Sequence, residues 1–145
     1  MTNAVSLEEI LQIVPILILL LTGLVGLFIK TVQQEKTSAA IITSLALAGL
    51  TISAFWLAWA TPTESKTLFS GSLLVDGFTS PGILLVLLGA ALTIITSLGH
   101  VSLKGSHYSE YVFLLLCSVI GAITFILANN LMVVFIGMEI MSLGL

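Results

Sequence analysis

The sequence predicts an all-α membrane protein, a polytopic bundle of about five transmembrane helices with a short β-hairpin between the second and the third. Three observations carry this. The mean hydropathy is +1.23. Charged residues make up only 8% of the chain and hydrophobic ones 58%, whereas a soluble domain carries about 25% charged residues. The few charges gather in short polar stretches between apolar runs of about 20 residues, the length that crosses ~30 Å of hydrocarbon. The alternation of barrel strands is missing, and the runs are too long and too uniformly apolar for them.

Residues 1–145 read as one transmembrane domain. Span 1 is expected over about 10–29, with Pro15 early, Gly23 and Gly26 allowing close helix approach, and Lys30 at its end reaching for the interface. The N-terminus lacks a basic region and carries Glu8 and Glu9, so this run is expected to stay as a helix and not to be cleaved as a leader. The linker 31–38 holds Glu35 and Lys36. Span 2 is expected over 39–60, with Trp56 and Trp59 as interfacial anchors and Thr61-Pro62 as its stop. The stretch 63–80 is the longest polar connection. Leu68 to Phe78 places β-formers on both sides of Gly71, with a second turn signal at Asp76-Gly77, and predicts a hairpin on the membrane surface.

Ser80-Pro81 reads as N-cap and first residue of span 3, about 81–98. The next loop holds His100, Lys104 and His107. Span 4 follows at 110–128, opened by Tyr108 and Tyr111 at the interface. In the tight Asn129-Asn130 connection, one Asn is expected to end span 4 in the left-handed conformation and the other to cap span 5. Span 5 is expected over 131–145. At 1.5 Å per residue it reaches only about 22 Å, short of a bilayer, so the chain reads as the N-terminal portion of something longer. Lysine placement sets the orientation. Lys30, Lys36 and Lys104 fall on one side against Lys66 on the other, which puts the N-terminus and hairpin outside.

Glu139 sits where a charge is out of place, within the apolar run of span 5. An ionised group at mid-bilayer costs about 3 kcal/mol on insertion scales, and such residues face a bundle interior and mark ion or proton paths. About nine residues into its span, Glu139 lies near ~13 Å of depth. Phe135, Ile136, Ser142 and Leu143 share its helix face, being three or four positions away. Ser142 is expected to hydrogen-bond the carboxyl, and Gly137 thins the helix for a neighbour. Apolar surroundings favour a neutral carboxyl and a nearby cation the charged form. An acid between those influences can load and release a proton, so Glu139 is the expected proton-relay residue. None of the four lysines lies inside a span, so its partner comes from elsewhere.

Other candidates read as structural. The small-xxx-small pairs Ser44/Ala48, Gly89/Thr93 and Ser118/Ala122 suit helix packing. His100 and His107 read as a solvated loop rather than a metal site, Asp76 as a turn residue, Met138 and Met141 as core fillers, and Cys117 as a small buried apolar group. With no arginine and no basic cluster, nucleic acid is excluded as a partner. The lipid bilayer is the expected one.

The run Gly137-Met-Glu-Ile-Met-Ser-Leu143, preceded by Asn129-Asn130, resembles the fifth-helix signature of the antiporter-like subunits of respiratory complex I. It is most similar to the N subunit, called subunit 2 in mitochondria. Val75-Asp-Gly-Phe78 before span 3 and the Glu110-Tyr-Val-Phe-Leu-Leu-Leu run resemble it too. The resemblance implies a proton-translocating module, in which the fifth-helix Glu pairs with a Lys on a later broken helix. Glu139 matches that acid; the Lys partners have no counterpart in this chain. Where the family often has Pro and an aromatic after Ser-Leu, this chain has Gly144-Leu145.

The expected function is therefore that of a non-redox membrane subunit of a proton-pumping NADH:quinone oxidoreductase. It would hold no cofactor itself, NADH and quinone acting elsewhere in the complex. Its partners would be the other membrane and peripheral subunits, or the missing C-terminal part of the subunit. The expected location is a bacterial inner membrane, the alternative a mitochondrial one. A multi-subunit cation/proton antiporter and a membrane-bound hydrogenase share this architecture. A structural or assembly protein, with Glu139 merely docking a partner helix, is the reading from another class.

Overall fold

The computed structural model describes residues 7–33, 39–60, 65–98 and 107–144. Its elements in order are α1 (Leu7–Gln33), α2 (Ala39–Ala60), β1 (Lys66–Leu68), β2 (Leu73–Val75), α3 (Thr79–Ser97), α4 (Tyr108–Leu127) and α5 (Leu131–Leu143). The first four helices are long and apolar enough to cross a membrane, and α5 is shorter and equally apolar. The architecture is an all-α membrane bundle with one two-stranded antiparallel sheet. Glu35, Lys36, Thr61-Pro62, His100 and Lys104 fall outside the described residues.

α4 is the centre of the bundle and touches all four other helices. The core runs between them through Leu19, Ile42, Leu50, Leu87, Ile94, Leu116 and Ile123. Because lipid tails are as apolar as these side chains, close packing and hydrogen bonds, not exclusion from water, hold such helices together. α1 and α2 show how. Pro15 has no N–H, so it leaves the Leu11 carbonyl without its usual helical donor. The indole Nε1 of Trp56 donates to that oxygen at 3.0 Å. One turn further along, buried Ser53 donates to the carbonyl of Pro15 at 3.2 Å. Gln12 Nε2 donates at 2.8 Å to Ala60 O, one of the carbonyls a helix C-terminus leaves open.

The hairpin pairs Lys66 with Val75 and Leu68 with Leu73. Its tip is a type I′ turn closed by Ser72 N to Phe69 O at 3.1 Å, with positive φ at Ser70 (55°) and Gly71 (85°). That turn matches the twist of the strands. Phe69 is also left-handed, at φ 52°, which costs a residue with a Cβ about 1–2 kcal/mol. Its N–H is held at 2.9 Å by Glu9 Oε1 from α1, and a bond to a charged group offsets a cost of that size. The other side of the tip docks on the α4–α5 connection. Asn129 Nδ2 donates to Gly71 O at 2.8 Å, Asn129 N to Ser72 O at 3.0 Å, and Leu73 bridges Ala128. The start of α1, the hairpin and the α4–α5 connection thus share one end of the bundle.

Several local expectations are corrected. α1 continues to Gln33, with Lys30 inside its last turn. α3 begins before Ser80-Pro81, because a stronger acceptor stands upstream. Asp76 Oδ1 takes the N–H groups of Phe78 and Thr79, each at 2.9 Å, and the first helical bond is Gly82 N to Phe78 O. Pro81 then falls in the first turn, where no N–H is needed. Neither Asn129 nor Asn130 is left-handed: Ala128 leaves α4 in an extended conformation, at ψ 125°. Tyr108 is no interfacial anchor but is buried, at 3% exposure. Its hydroxyl bonds Thr43 Oγ1 at 2.7 Å and Ser97 Oγ at 3.1 Å, joining α2, α3 and α4 at the end opposite the hairpin. Trp56 ties two helices together, while Trp59 stands out at 82% exposure, as an anchor would.

Candidate functional site: the acid on the fifth helix

α5 is placed by one cap and one close contact. Asn130 is extended, and its side chain accepts the Val133 N–H at 2.9 Å, the N-cap bond expected of it. The helix then lies against α4 through glycines. A Cβ on Gly121 would meet the backbone nitrogen of Met141, and would stand 2.8 Å from Gly137 O. A Cβ on Gly137 would stand 2.8 Å from the nitrogen of Phe125. Gly144 lies against Leu114 O and Ser118. Gly137 and Gly144 are two turns apart, so one stripe of α5 touches α4 backbone to backbone. Gly137 is the buried residue of α5.

With that stripe fixed, the opposite face follows from helical spacing. Met132, Phe135, Ile136, Glu139, Ser142 and Leu143 all point away from α4 and are exposed. The face expected to carry Glu139 is therefore the face that does carry it, an apolar surface with one carboxylic acid near its middle. Among the described residues the carboxyl has no hydrogen-bond or ion-pair partner. Ser142 does not supply one: its Oγ donates to the backbone carbonyl of Glu139 at 2.8 Å. A serine hydroxyl three positions on reaches its own helix's open carbonyl more readily than a carboxyl pointing outward.

Lys30 is in the last turn of α1 and Lys66 on β1, near opposite ends of the bundle. His107 sits on the surface with Nδ1 2.9 Å from Glu110 Oε2, and the described residues hold no cluster of metal-ligating side chains. Met141 packs its backbone on Gly121. Met138, one position round the helix from Gly137, faces outward instead of filling the core. Cys117 is half-buried and free.

Of the predicted packing pairs, Ser44/Ala48 and Gly89/Thr93 face outward, and nothing lies within 4 Å of a Cβ on Gly89. In the third pair Ser118 does meet α5, but its working partner on α4 is Gly121 and not Ala122. The signal was in the sequence one position away: Ser118 and Gly121 on one span face Gly137 and Gly144 on the next.

Fold and site together define a polytopic helical membrane protein with a single acid on an uncovered face of its fifth helix. Comparison with known proteins gives the family. The chain is 32% identical over 142 residues to NADH-quinone oxidoreductase subunit N of Bdellovibrio bacteriovorus, covering 97% of this chain and 29% of that protein. It is 34% identical over 133 residues to the subunit N of Azorhizobium caulinodans, covering 92% of this chain and 28% of that protein. It is 30% identical over 142 residues to the chloroplastic NAD(P)H-quinone oxidoreductase subunit 2 of Zygnema circumcarinatum, covering 98% and 27%. No family model matches the chain. The chain belongs to the N-subunit family of NADH-quinone oxidoreductases and matches the N-terminal part of its relatives. It spans less than a third of the length of these relatives.

Proposed function

We propose that this chain is the N-terminal portion of a membrane subunit of a proton-pumping NADH:quinone oxidoreductase, and that Glu139 carries a proton within it. The observation that carries this reading is the position of the acid. Glu139 stands about nine residues into an apolar helix, on a face that nothing else in the described chain covers. A carboxyl facing lipid there is unfavourable by about 3 kcal/mol if charged. The face is therefore built to be covered by protein that supplies a polar or cationic partner. A cation approaching the acid favours its release of the proton, and a cation withdrawing favours uptake. In this reading the chain contributes the acid and the rest of the assembly contributes the moving charge. The redox chemistry of NADH and quinone takes place elsewhere in the complex.

The remaining parts of the proposal follow the charges. The end with the hairpin holds Lys66 and the opposite end Lys30, and in the sequence Lys36 and Lys104 belong to the linkers that follow α1 and α3. The excess of lysine places that second end in the cytoplasm, with the N-terminus and hairpin outside.

The test separates a titrating acid from a structural one. Glu139→Gln keeps shape and hydrogen bonding and removes the exchangeable proton; Glu139→Asp keeps the acid and shortens its reach. In membranes with equal complex content, the Gln variant is expected to lose most proton pumping and the Asp variant part of it. Wild-type pumping with Gln would leave Glu139 as a docking residue and end the proposal.

A further inference from the structure

The seam between α5 and α4 is made at Gly137 and Gly144 of α5. Glycines let two helices approach closely, but they carry no side chain that would interlock and fix rotation of α5 about its own axis. Rotation is fixed instead where α5 begins. Ala128 and Asn130, on either side of Asn129, are both extended. Asn129 binds the hairpin tip twice, through Nδ2 to Gly71 O at 2.8 Å and through its backbone N–H to Ser72 O at 3.0 Å. Beside it Leu73 and Ala128 are bridge partners. Asn130 then accepts the Val133 N–H at 2.9 Å and fixes the first turn of α5 to this connection. On its far side the tip meets α1, where Glu9 Oε1 accepts the Phe69 N–H at 2.9 Å. The entry of α5 is thus pinned to a tip that is itself pinned to α1.

A small rotation there matters at the acid. Side chains stand about 5–6 Å from a helix axis, so a roll of about 20° carries the Glu139 carboxyl through about 2 Å. Proton transfer works over a hydrogen bond of about 2.6–3.2 Å, a window far narrower than that displacement. We infer that Asn129 is a positioning residue for Glu139: through the hairpin tip it holds α5 at the rotation that presents the carboxyl to its proton partner. The inference rests on Glu139 carrying a proton, and it adds a residue ten positions upstream that touches neither the acid nor its partner.

The test breaks the tie and then restores it by other means, in the intact complex in membranes with equal complex content. Asn129→Ala removes the side-chain bond. The ratio of protons pumped to NADH oxidised is expected to fall about two- to tenfold, the population shift that loss of one hydrogen bond produces. The infrared carboxyl band that Glu139→Gln removes should shift in frequency, which a change confined to stability would not cause. For the rescue, Ser72 and Asn129 stand opposite each other beside the Leu73–Ala128 bridge. Antiparallel partners have Cα atoms about 4.5–5.5 Å apart, within the span of a disulfide. The paired variant Ser72→Cys/Asn129→Cys should pump poorly when reduced and recover ratio and band when oxidised, while Asn129→Cys alone should not respond to oxidation. If the paired variant does not assemble, the ratio and band of Asn129→Ala decide. Wild-type ratio and band in Asn129→Ala, or a paired variant that oxidation does not restore, overturns the positioning role while Glu139→Gln still abolishes pumping. Wild-type pumping in Glu139→Gln is the separate result that ends the proton reading itself, and this inference with it.

Discussion

Replacing Gly121 by alanine puts a methyl group where the backbone of α5 runs. The new Cβ would stand 2.8 Å from Gly137 O and from Met141 Cα, and closer still to Met141 N. Ordinary carbon contacts need about 3.5–4.0 Å, and backbone has no rotamer by which to yield, so α4 and α5 must part by roughly 0.5–1 Å. A gap of that width forfeits about a quarter to a half of each dispersion contact along the seam. Overpacking of this kind costs about 1–3 kcal/mol. Gly89→Ala is the matched control, since it lies mid-helix in α3 with nothing within 4 Å of its Cβ. Both variants gain about 1 kcal/mol of helix propensity, so their difference isolates the clash. Detergent-titrated unfolding of the two variants in mixed micelles should separate them by about 1–3 kcal/mol, with Gly121→Ala the weaker. Equal midpoints would refute a backbone-to-backbone seam between α4 and α5.

Three further outcomes follow from the same structure. Tyr108→Phe removes the hydroxyl that bonds Thr43 and Ser97. It should destabilise the chain by about 0.6 kcal/mol, and by no more than about 1.7, in the same unfolding assay, the average and the maximum for hydrogen bonds between membrane helices. Asn130→Ala deletes the α5 cap and should cost about 1 kcal/mol, read as faster amide exchange in the first turn of α5. Under the proposed orientation, cysteine at the exposed hairpin residue Ser70 should react with an impermeant reagent from outside and cysteine at His107 from the cytoplasm. Labelling of both from one side would contradict the alternation of helices.

The fold was legible where it depends on local composition. Apolar runs of spanning length, Gly71 between β-formers and the Asn129-Asn130 break each carry their signal within a few residues, and each marks a real element or turn. The face that carries Glu139 was legible for the same reason, since it follows from helical spacing once α5 is known. What could not be read were partnerships across the bundle. Tyr108 looks like an interfacial aromatic until Thr43, 65 positions away, is seen against it. Trp56 serves a carbonyl that Pro15 opened on another helix. Glu9 reads as a leader-excluding charge, yet it steadies the left-handed Phe69. α3 starts ahead of Ser80 because the Asp76 carboxylate reaches the amides of Phe78 and Thr79. Each of these depends on which surfaces meet, and amphipathic contrast, the usual guide to that, is weak in helices that are apolar all round.

The proposed role of Glu139 requires its protonation to change as the complex turns over. Infrared difference spectra of the intact complex in membranes, recorded on adding NADH, read this directly, because a carboxylic acid and a carboxylate absorb at different frequencies. A carboxyl band that changes with turnover is expected in the wild type and should be missing in Glu139→Gln. Identical difference spectra from wild type and Glu139→Gln would contradict it.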